Sequence, residues 1–426
     1  MGPNFILKGN ICYCETPERF TIVEHGVLVC KEGLVEGVYQ EIPEAFADFE
    51  VRDAGEKLII PGLVDLHLHA PQYTFRATHM DLELLEWLEN YAFPAEAKYK
   101  DAEYARKAYG IFVDRLRDSA TTRACMFGTL HVEATEILME LLEKSGLHTM
   151  VGKVNMDRNS PDYLREESAD VSGEATVEWI KDCKKKFRNT KPILTPRFIP
   201  SCTDELMENL KKIQLHFQLP LQSHLSENLS EIDWVQELCP TSAFYGDAYD
   251  QFGLFGADCP TIMAHCVYSS DEEIQRMKEN GVFVAHCPES NMNLASGIAP
   301  IRKYMQEGLK VGMGSDVAGG TKEDMFAAMM HAIQCSKLRW RVVDDTLAPL
   351  TASEVFYLAT KGGGEFFGKV GSFEPGYEFD AVVLDDSRLK DVEPVSVADR
   401  IERFIYLEQE EDIRAKYVAG KELFWR

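Results

Sequence analysis

The stretch that most constrains this chain is Leu58 to Gln72, Leu-Ile-Ile-Pro-Gly-Leu-Val-Asp-Leu-His-Leu-His-Ala-Pro-Gln. It begins as an apolar strand and ends in His67-Leu-His69. In a strand, residues i and i+2 share a face, about 6.6 Å apart along the backbone. Two imidazoles placed so can converge on one metal ion. Leu63, Val64, Leu66 and Leu68 make the run apolar on both faces, which suits a strand buried in a parallel sheet. Histidines that close such a strand stand where α/β folds carry their sites.

The rest of the chain supplies matching strands. Before Leu58, short β-like runs (Asn4 to Lys8, Phe20 to Cys30, Leu34 to Tyr39) are punctuated by Gly and Pro. They predict a small β-domain with Phe5, Ile6, Ile22 and Val23 in its core. From Leu58 the pattern alternates strand and helix. Strands are expected at Leu58–Leu66, Ala120–Phe127, Thr149–Val154, Ile193–Phe198, Leu219–Leu225, Thr261–Ala264, Val282–Ala285 and Lys310–Gly314. The intervening helices have Asp204 and Asp271 as expected N-caps and Gly146, Gly281 and Gly308 as expected C-caps. Eight such alternations predict a (β/α)8 TIM barrel. A doubly wound open sheet is the second reading, but no Gly-rich phosphate loop accompanies it. Helices are expected at Lys322–Lys337 and Ser353–Thr360. β-like character returns at Gly376–Leu384 and Arg414–Phe424. The expected division is therefore 1–57 and 366–426 as two parts of one β-sandwich, with 58–365 as the barrel.

Five expected strands end in a potential metal ligand: His67 and His69, His224, His265, His286, and Asp316. Several histidines with one carboxylate and an open position suit catalytic zinc rather than a closed structural site. Such a metal lowers the pKa of bound water to about 7. A carboxylate outside the ligand set must then move protons, and Glu227, three residues past His224, is the candidate.

These residues carry a resemblance. Pro61-Gly-Leu-Val-Asp65 with His67, His69, His224, His265 and Asp316 resembles the metal-dependent amidohydrolase superfamily, and His224-Leu-Ser-Glu227 resembles its aminohydrolase branch. His69-Ala-Pro-Gln72-Tyr73, Tyr91-Ala-Phe-Pro-Ala-Glu96, Thr195-Pro-Arg-Phe198, Ala285-His-Cys-Pro-Glu-Ser-Asn291 and Gly314-Ser-Asp-Val-Ala-Gly-Gly320 together resemble the guanine deaminase family. Pro71 departs from that pattern, where a small polar residue is expected. The resemblance implies His67, His69, His224 and Asp316 as ligands of one Zn2+ (Fe2+ being the alternative), with His265 beside the reactive water. It also implies guanine as substrate, xanthine and ammonia as products, and a homodimer. Residue chemistry agrees. Glu227 can carry a proton to ring N3 and to the leaving nitrogen, while His265 and Asp316 can take one from water. Arg197 offers a fork of donors to the O6 and N7 acceptors of guanine. Gln72 can donate and accept, and Phe198 offers an aromatic face. Trp87, on the Leu84/Leu85/Leu88 face, is expected in the core.

Other readings are weaker. His131-Val-Glu133 matches half of a different zinc-deaminase signature, but no Pro-Cys-x-x-Cys follows. No lysine stands in Ile193–Phe198 to bridge two metals. A barrel kept only as a scaffold would have lost ligands. An aminohydrolase acting on cytosine, an adenosine-type base or a triazine remains the alternative substrate reading. The net charge of −25 argues against nucleic-acid and anionic-membrane partners. Eleven dispersed cysteines, no signal-peptide pattern and no apolar run long enough to span a bilayer predict a cytoplasmic protein.

Overall fold

The computed structural model describes residues 2–426. Four strands open the chain: β1 (Phe5–Thr16), β2 (Arg19–Lys31), β3 (Leu34–Tyr39) and β4 (Glu50–Pro61). Ten follow between helices: β5 (Leu63–Asp65), β6 (Thr121–Phe127), β7 (His148–Gly152), β8 (Val154–Asn155), β9 (Thr190–Pro192), β10 (Thr195–Pro196), β11 (Leu221–Leu225), β12 (Thr261–His265), β13 (Phe283–His286) and β14 (Lys310–Met313). Three close it: β15 (Ala381–Leu384), β16 (Ile413–Val418) and β17 (Lys421–Trp425).

Both ends of the chain share one seven-stranded sheet, ordered β17-β16-β15-β4-β1-β2-β3. It curls until Leu34 on β3 bridges Glu378, just ahead of β15. The enclosed face holds Phe5, Leu7, Leu28, Ile59, Val383 and Tyr417 as one apolar cluster. Phe5 and Ile6 are buried as expected, whereas Ile22 and Val23 are only half-buried.

The middle of the chain forms parallel sheets, β5-β6-β7-β9 and β11-β12-β13-β14, with β8 and β10 paired between them. All seven residues of β6 are buried, because helices cover one face and the interior fills the other. Hydrogen bonds also cross both gaps between the four-stranded sheets. Gln222 N donates to Leu194 O at 2.9 Å on one side, and Leu66 N to Met313 O at 2.9 Å on the other.

The expected single strand Leu58–Leu66 is two strands. Leu58–Pro61 ends β4 in the seven-stranded sheet, and Leu63–Asp65 begins the parallel set. The switch falls at Gly62, where a Cβ would stand 2.2 Å from Thr122 Oγ1, so only glycine lets the two sheets approach. Continuous burial through this stretch hid the change of sheet. The helices at Asp204 and Asp271 start where expected, but their caps are Thr203 and Ser270, one residue earlier, whose hydroxyls accept from Leu206 N and Glu273 N. Gly146, Gly281 and Gly308 take the left-handed conformation at their helix ends, as expected. Arg414–Phe424 is a hairpin turning at Ala419 and Gly420, and in Gly376–Leu384 only the last four residues form a strand.

Candidate active site

The expected ligands converge at the C-terminal ends of the parallel strands. His67 and His69 follow β5, His224 and His265 lie near the ends of β11 and β12, and Asp316 follows β14. His67 Nε2 lies 3.2 Å from Asp316 Oδ1, and His69 Nε2 3.6 Å from the same oxygen. His69 Nε2 and His224 Nε2 face each other at 3.1 Å. The backbone is strained at these strand ends: His265 has φ 73°, Asp316 φ 47° and Ser226 φ 48°, all in the left-handed region. Strain at non-glycine residues gathers where neighbouring structure imposes it, commonly at functional sites.

Neighbours orient the rings. His224 Nδ1–H donates to Arg197 O at 2.5 Å, which leaves Nε2 with a lone pair toward the centre. His265 Nδ1–H donates to Asn291 Oδ1 at 2.9 Å with the same effect. Asp65 accepts from His67 N and from both Ser315 N and Ser315 Oγ, tying the end of β5 to the end of β14. Burial holds His69 and His224 well below the ordinary imidazole range, so both are neutral. Burial alone would raise Asp316, but the surrounding histidines, His67 first, hold it far below the usual carboxylate range.

A divalent metal fits these groups. His67 is fully buried, its Nδ1 has no hydrogen-bond partner, and its Nε2 faces the Asp316 carboxylate at 3.2 Å without hydrogen-bond geometry. Such orphaned atoms carry a desolvation cost unless something else engages them. His67, His69 and His224 present nitrogens within 4.8 Å of one another, and a nitrogen each of His67 and His265, an oxygen of Asp316 and the sulfur of Cys287 lie equally close together. Imidazole nitrogens with one carboxylate form a zinc-type donor set. Cys287 was not expected here; burial raises its thiol well above the ordinary value, so it stays protonated and donates to Ala285 O.

Beside this cluster lies a narrow cavity lined by Gln72, Arg197, Phe198, Glu227, His265 and Asp316 among others. Glu227 is 3 % exposed. One oxygen accepts from Ser296 Oγ at 3.1 Å, and the other lies 3.4 Å from His265 Nε2. Burial, then the charge of Asp316, pushes its carboxyl up to about 8, so it holds a proton near neutral pH. Glu231, also unexpected, lines the cavity and accepts from Glu227 N and Tyr245 OH. Trp87 is buried as a core residue, but its face also walls the cavity together with Leu84 and Leu88. Arg197 is engaged by the buried carboxylate of Glu96, a partner sequence periodicity cannot assign to it. His286 is buried away from the cavity, held down to about 3 by burial, and His131 caps the helix Val132–Ser145.

Comparison with known proteins agrees with this geometry. The amidohydrolase family profile matches residues 58–423. The chain is 40 % identical over 381 residues to guanine deaminase of Dictyostelium discoideum, covering 88 % of this chain and 84 % of that one. It is 35 % identical over 428 residues to guanine deaminase of Escherichia coli, covering 97 % and 94 %. The crystal structure of guanine deaminase from C. acetobutylicum with bound guanine superposes with a TM-score of 0.96 at 47 % identity, covering 99 % of this chain and all of that one. With a matching profile across most of its length and relatives this close, the chain belongs to the amidohydrolase family, in its guanine deaminase branch.

Proposed function

We propose that this protein is a metal-dependent hydrolase that converts guanine and water to xanthine and ammonia. The observation that carries the reading is the pairing of two halves in one cavity. One half is a cluster of imidazoles and Asp316 beside Glu227, whose carboxyl burial raises; the other is Arg197 with Gln72.

We assign His67, His69, His224 and Asp316 as ligands of one Zn2+, with Fe2+ accepting the same donors. The metal, when bound, makes hydroxide available near neutral pH. His265 and Asp316 take the proton that water gives up. Glu227 protonates ring N3, which draws electron density from C2 and opens it to attack. The resulting carboxylate takes the proton of the hydroxyl now on C2 and passes it to the amine, which leaves as ammonia, and the proton held by His265 and Asp316 returns to Glu227. Arg197 donates to O6 and N7, Gln72 reads the adjoining ring edge, and Phe198 lies against the purine face. Gln72, Arg197, Glu227 and His265 are buried, so their hydrogen bonds act in a lower dielectric than water.

Eight strand positions and hydrogen bonds across both sheet edges support a (β/α)8 barrel with its site at the C-terminal face. On this reading the barrel spans 58–365, with Leu58–Pro61 lent to the small β-domain formed by 1–57 and 366–426, whose strands make one curled sheet rather than the two layers of a sandwich. Free thiols at all eleven cysteines suit a reducing, cytoplasmic setting, and we read the working unit as a homodimer. Among the described residues no helix is long and apolar enough to cross a membrane.

The test is ammonia release from guanine, with adenine, cytosine and adenosine in parallel and metal content measured on the same sample. Turnover of guanine with about one metal per chain is the expected result. Activity on another base alone would keep the hydrolytic centre and discard the guanine assignment.

A further inference from the structure

The two side chains assigned to read the purine share a partner that stands behind them. Glu96 is 2 % exposed and does not line the cavity. Its Oε2 accepts from Arg197 Nη1 at 2.6 Å, and its Oε1 from Arg197 Nη2 at 2.9 Å. The same Oε1 accepts from Gln72 Nε2 at 2.8 Å. The other end of the Gln72 amide is also held, because Gln72 Oε1 accepts from Ala318 N at 3.3 Å. Only one orientation of the amide satisfies both contacts, with nitrogen toward the carboxylate and oxygen toward the backbone N–H.

Arg197 has five N–H donors in a planar fork. Glu96 uses two and leaves the remainder for a ligand. The guanidinium also lies over the Phe93 ring, 5.0 Å from its centroid. Phe93 and Glu96 belong to one short helix, Phe93–Ala97, which directly continues the segment whose Leu84, Trp87 and Leu88 wall the cavity. The carboxylate therefore joins three things: the wall segment, the end of β10 and the turn after β5.

We propose that Glu96 is the positioning residue that sets the ring-reading geometry, holding Arg197 and Gln72 as one rigid fork and docking the cavity wall onto them. This rests on the functional reading given above. Glu96 touches neither substrate nor reacting atoms; it acts through the two side chains it holds. The arrangement favours heterocycles that present adjacent acceptors, a ring carbonyl beside a ring nitrogen. It disfavours those that present an amino group there, because donors would then meet the donors of Arg197.

The test is a double-mutant cycle on metal-loaded protein with guanine as substrate: Glu96→Gln, Arg197→Ala and the two together, with metal content and thermal melting measured on each sample. Glu96→Gln is expected to keep its metal and to lose about 100-fold in kcat/KM, the scale of a small misplacement of binding groups. In the Arg197→Ala background the further loss is expected to be at least about tenfold smaller, because most of what Glu96 holds is already gone. Losses that agree within about tenfold in the two backgrounds overturn the proposal, since a residue that merely holds the fold acts alike in both. Wild-type kinetics in Glu96→Gln overturn it as well. If Glu96→Gln fails to fold, Glu96→Asp replaces it, keeping the charge but withdrawing the carboxylate by one methylene, with the same outcomes expected. Wild-type protein that releases no ammonia from guanine overturns the functional reading and this proposal with it. An active wild type with a silent Glu96→Gln overturns this proposal alone.

Discussion

Glu227 shows how burial sets a chemical role at the scale of one residue. Its carboxyl is pushed up to about 8 because it is buried and faces Asp316, which makes it a proton donor at neutral pH. Glu227→Gln keeps the shape and the hydrogen bond from Ser296 Oγ but cannot exchange a proton. Turnover is expected to fall by about 10² to 10⁴-fold with metal content unchanged, measured by steady-state ammonia release beside a metal assay. Near-normal turnover would remove the proton-carrying role. His67, His69, His224, His265 and Asp316 were legible in the sequence because each stands at the end of an apolar run, a position that strand periodicity exposes. Ser296, Glu231 and Glu96 were not. Glu96 closes one of the runs that carry the resemblance but shows no role there, Ser296 and Glu231 are ordinary polar residues in their local context, and all three roles arise only when distant segments are folded together, as when Ser296 reaches Glu227 across 69 positions of sequence.

At the scale of elements, the sheet switch at Gly62 carries the first consequence. A Cβ there would meet Thr122 Oγ1 at 2.2 Å and Cγ2 at 2.3 Å. Gly62→Ala is expected to cost about 1–3 kcal/mol, the usual size of overpacking, read as a shift of the denaturant midpoint. An unchanged midpoint would mean that the two sheets part easily. The alternation of strand and helix was readable because buried parallel strands leave continuous apolar runs. The break at Gly62 was not, because both sides of it are equally buried. A second consequence lies between the helices Met325–Val342 and Val397–Leu407, which pack through Phe326 and Phe404 at 5.8 Å. Glu408, capping the second helix, is pushed up to about 9 by burial and by Asp324, which caps the first. In the unfolded chain a glutamate titrates near about 4.3. The folded value is the higher one, so the stability tied to this proton is present in full below about pH 4 and is lost as pH rises through about 9. Melting temperature is expected to fall across that window, and Glu408→Gln to flatten the fall. Parallel curves for the two proteins would exclude the pair as its source.

For the whole molecule, the joint between the curled sheet and the parallel strands rests on Arg123. From β6 it donates to both oxygens of Asp380, at 2.5 and 2.9 Å, and to Glu378 at 2.7 Å. The Asp380 side chain is fully buried. Arg123→Met would strand that carboxylate, an expected loss of about 3–5 kcal/mol in stability. Arg123 lies toward the start of β6, away from the strand ends that carry the site, so kcat measured well below the melting point should hold. A collapse of kcat without a loss of stability would contradict this division of labour. The β-like runs at both chain ends were legible and predict one β-sandwich; that they make a single seven-stranded curled sheet, with β4 between a parallel β1 and an antiparallel β15, was not legible. This pairing has a consequence for synthesis. While the chain is being made, β4 has β1 on one side and an open edge on the other until Ala381–Leu384 leave the ribosome. At ordinary elongation rates that interval is on the order of tens of seconds. Throughout it the nascent chain presents an apolar strand edge, Leu58-Ile-Ile-Pro61, to its surroundings, the kind of edge that invites pairing with another chain. Chains stopped before Ala381 are therefore expected to aggregate, measured as the fraction of expressed chain that pellets, and a fully soluble truncated chain would contradict this.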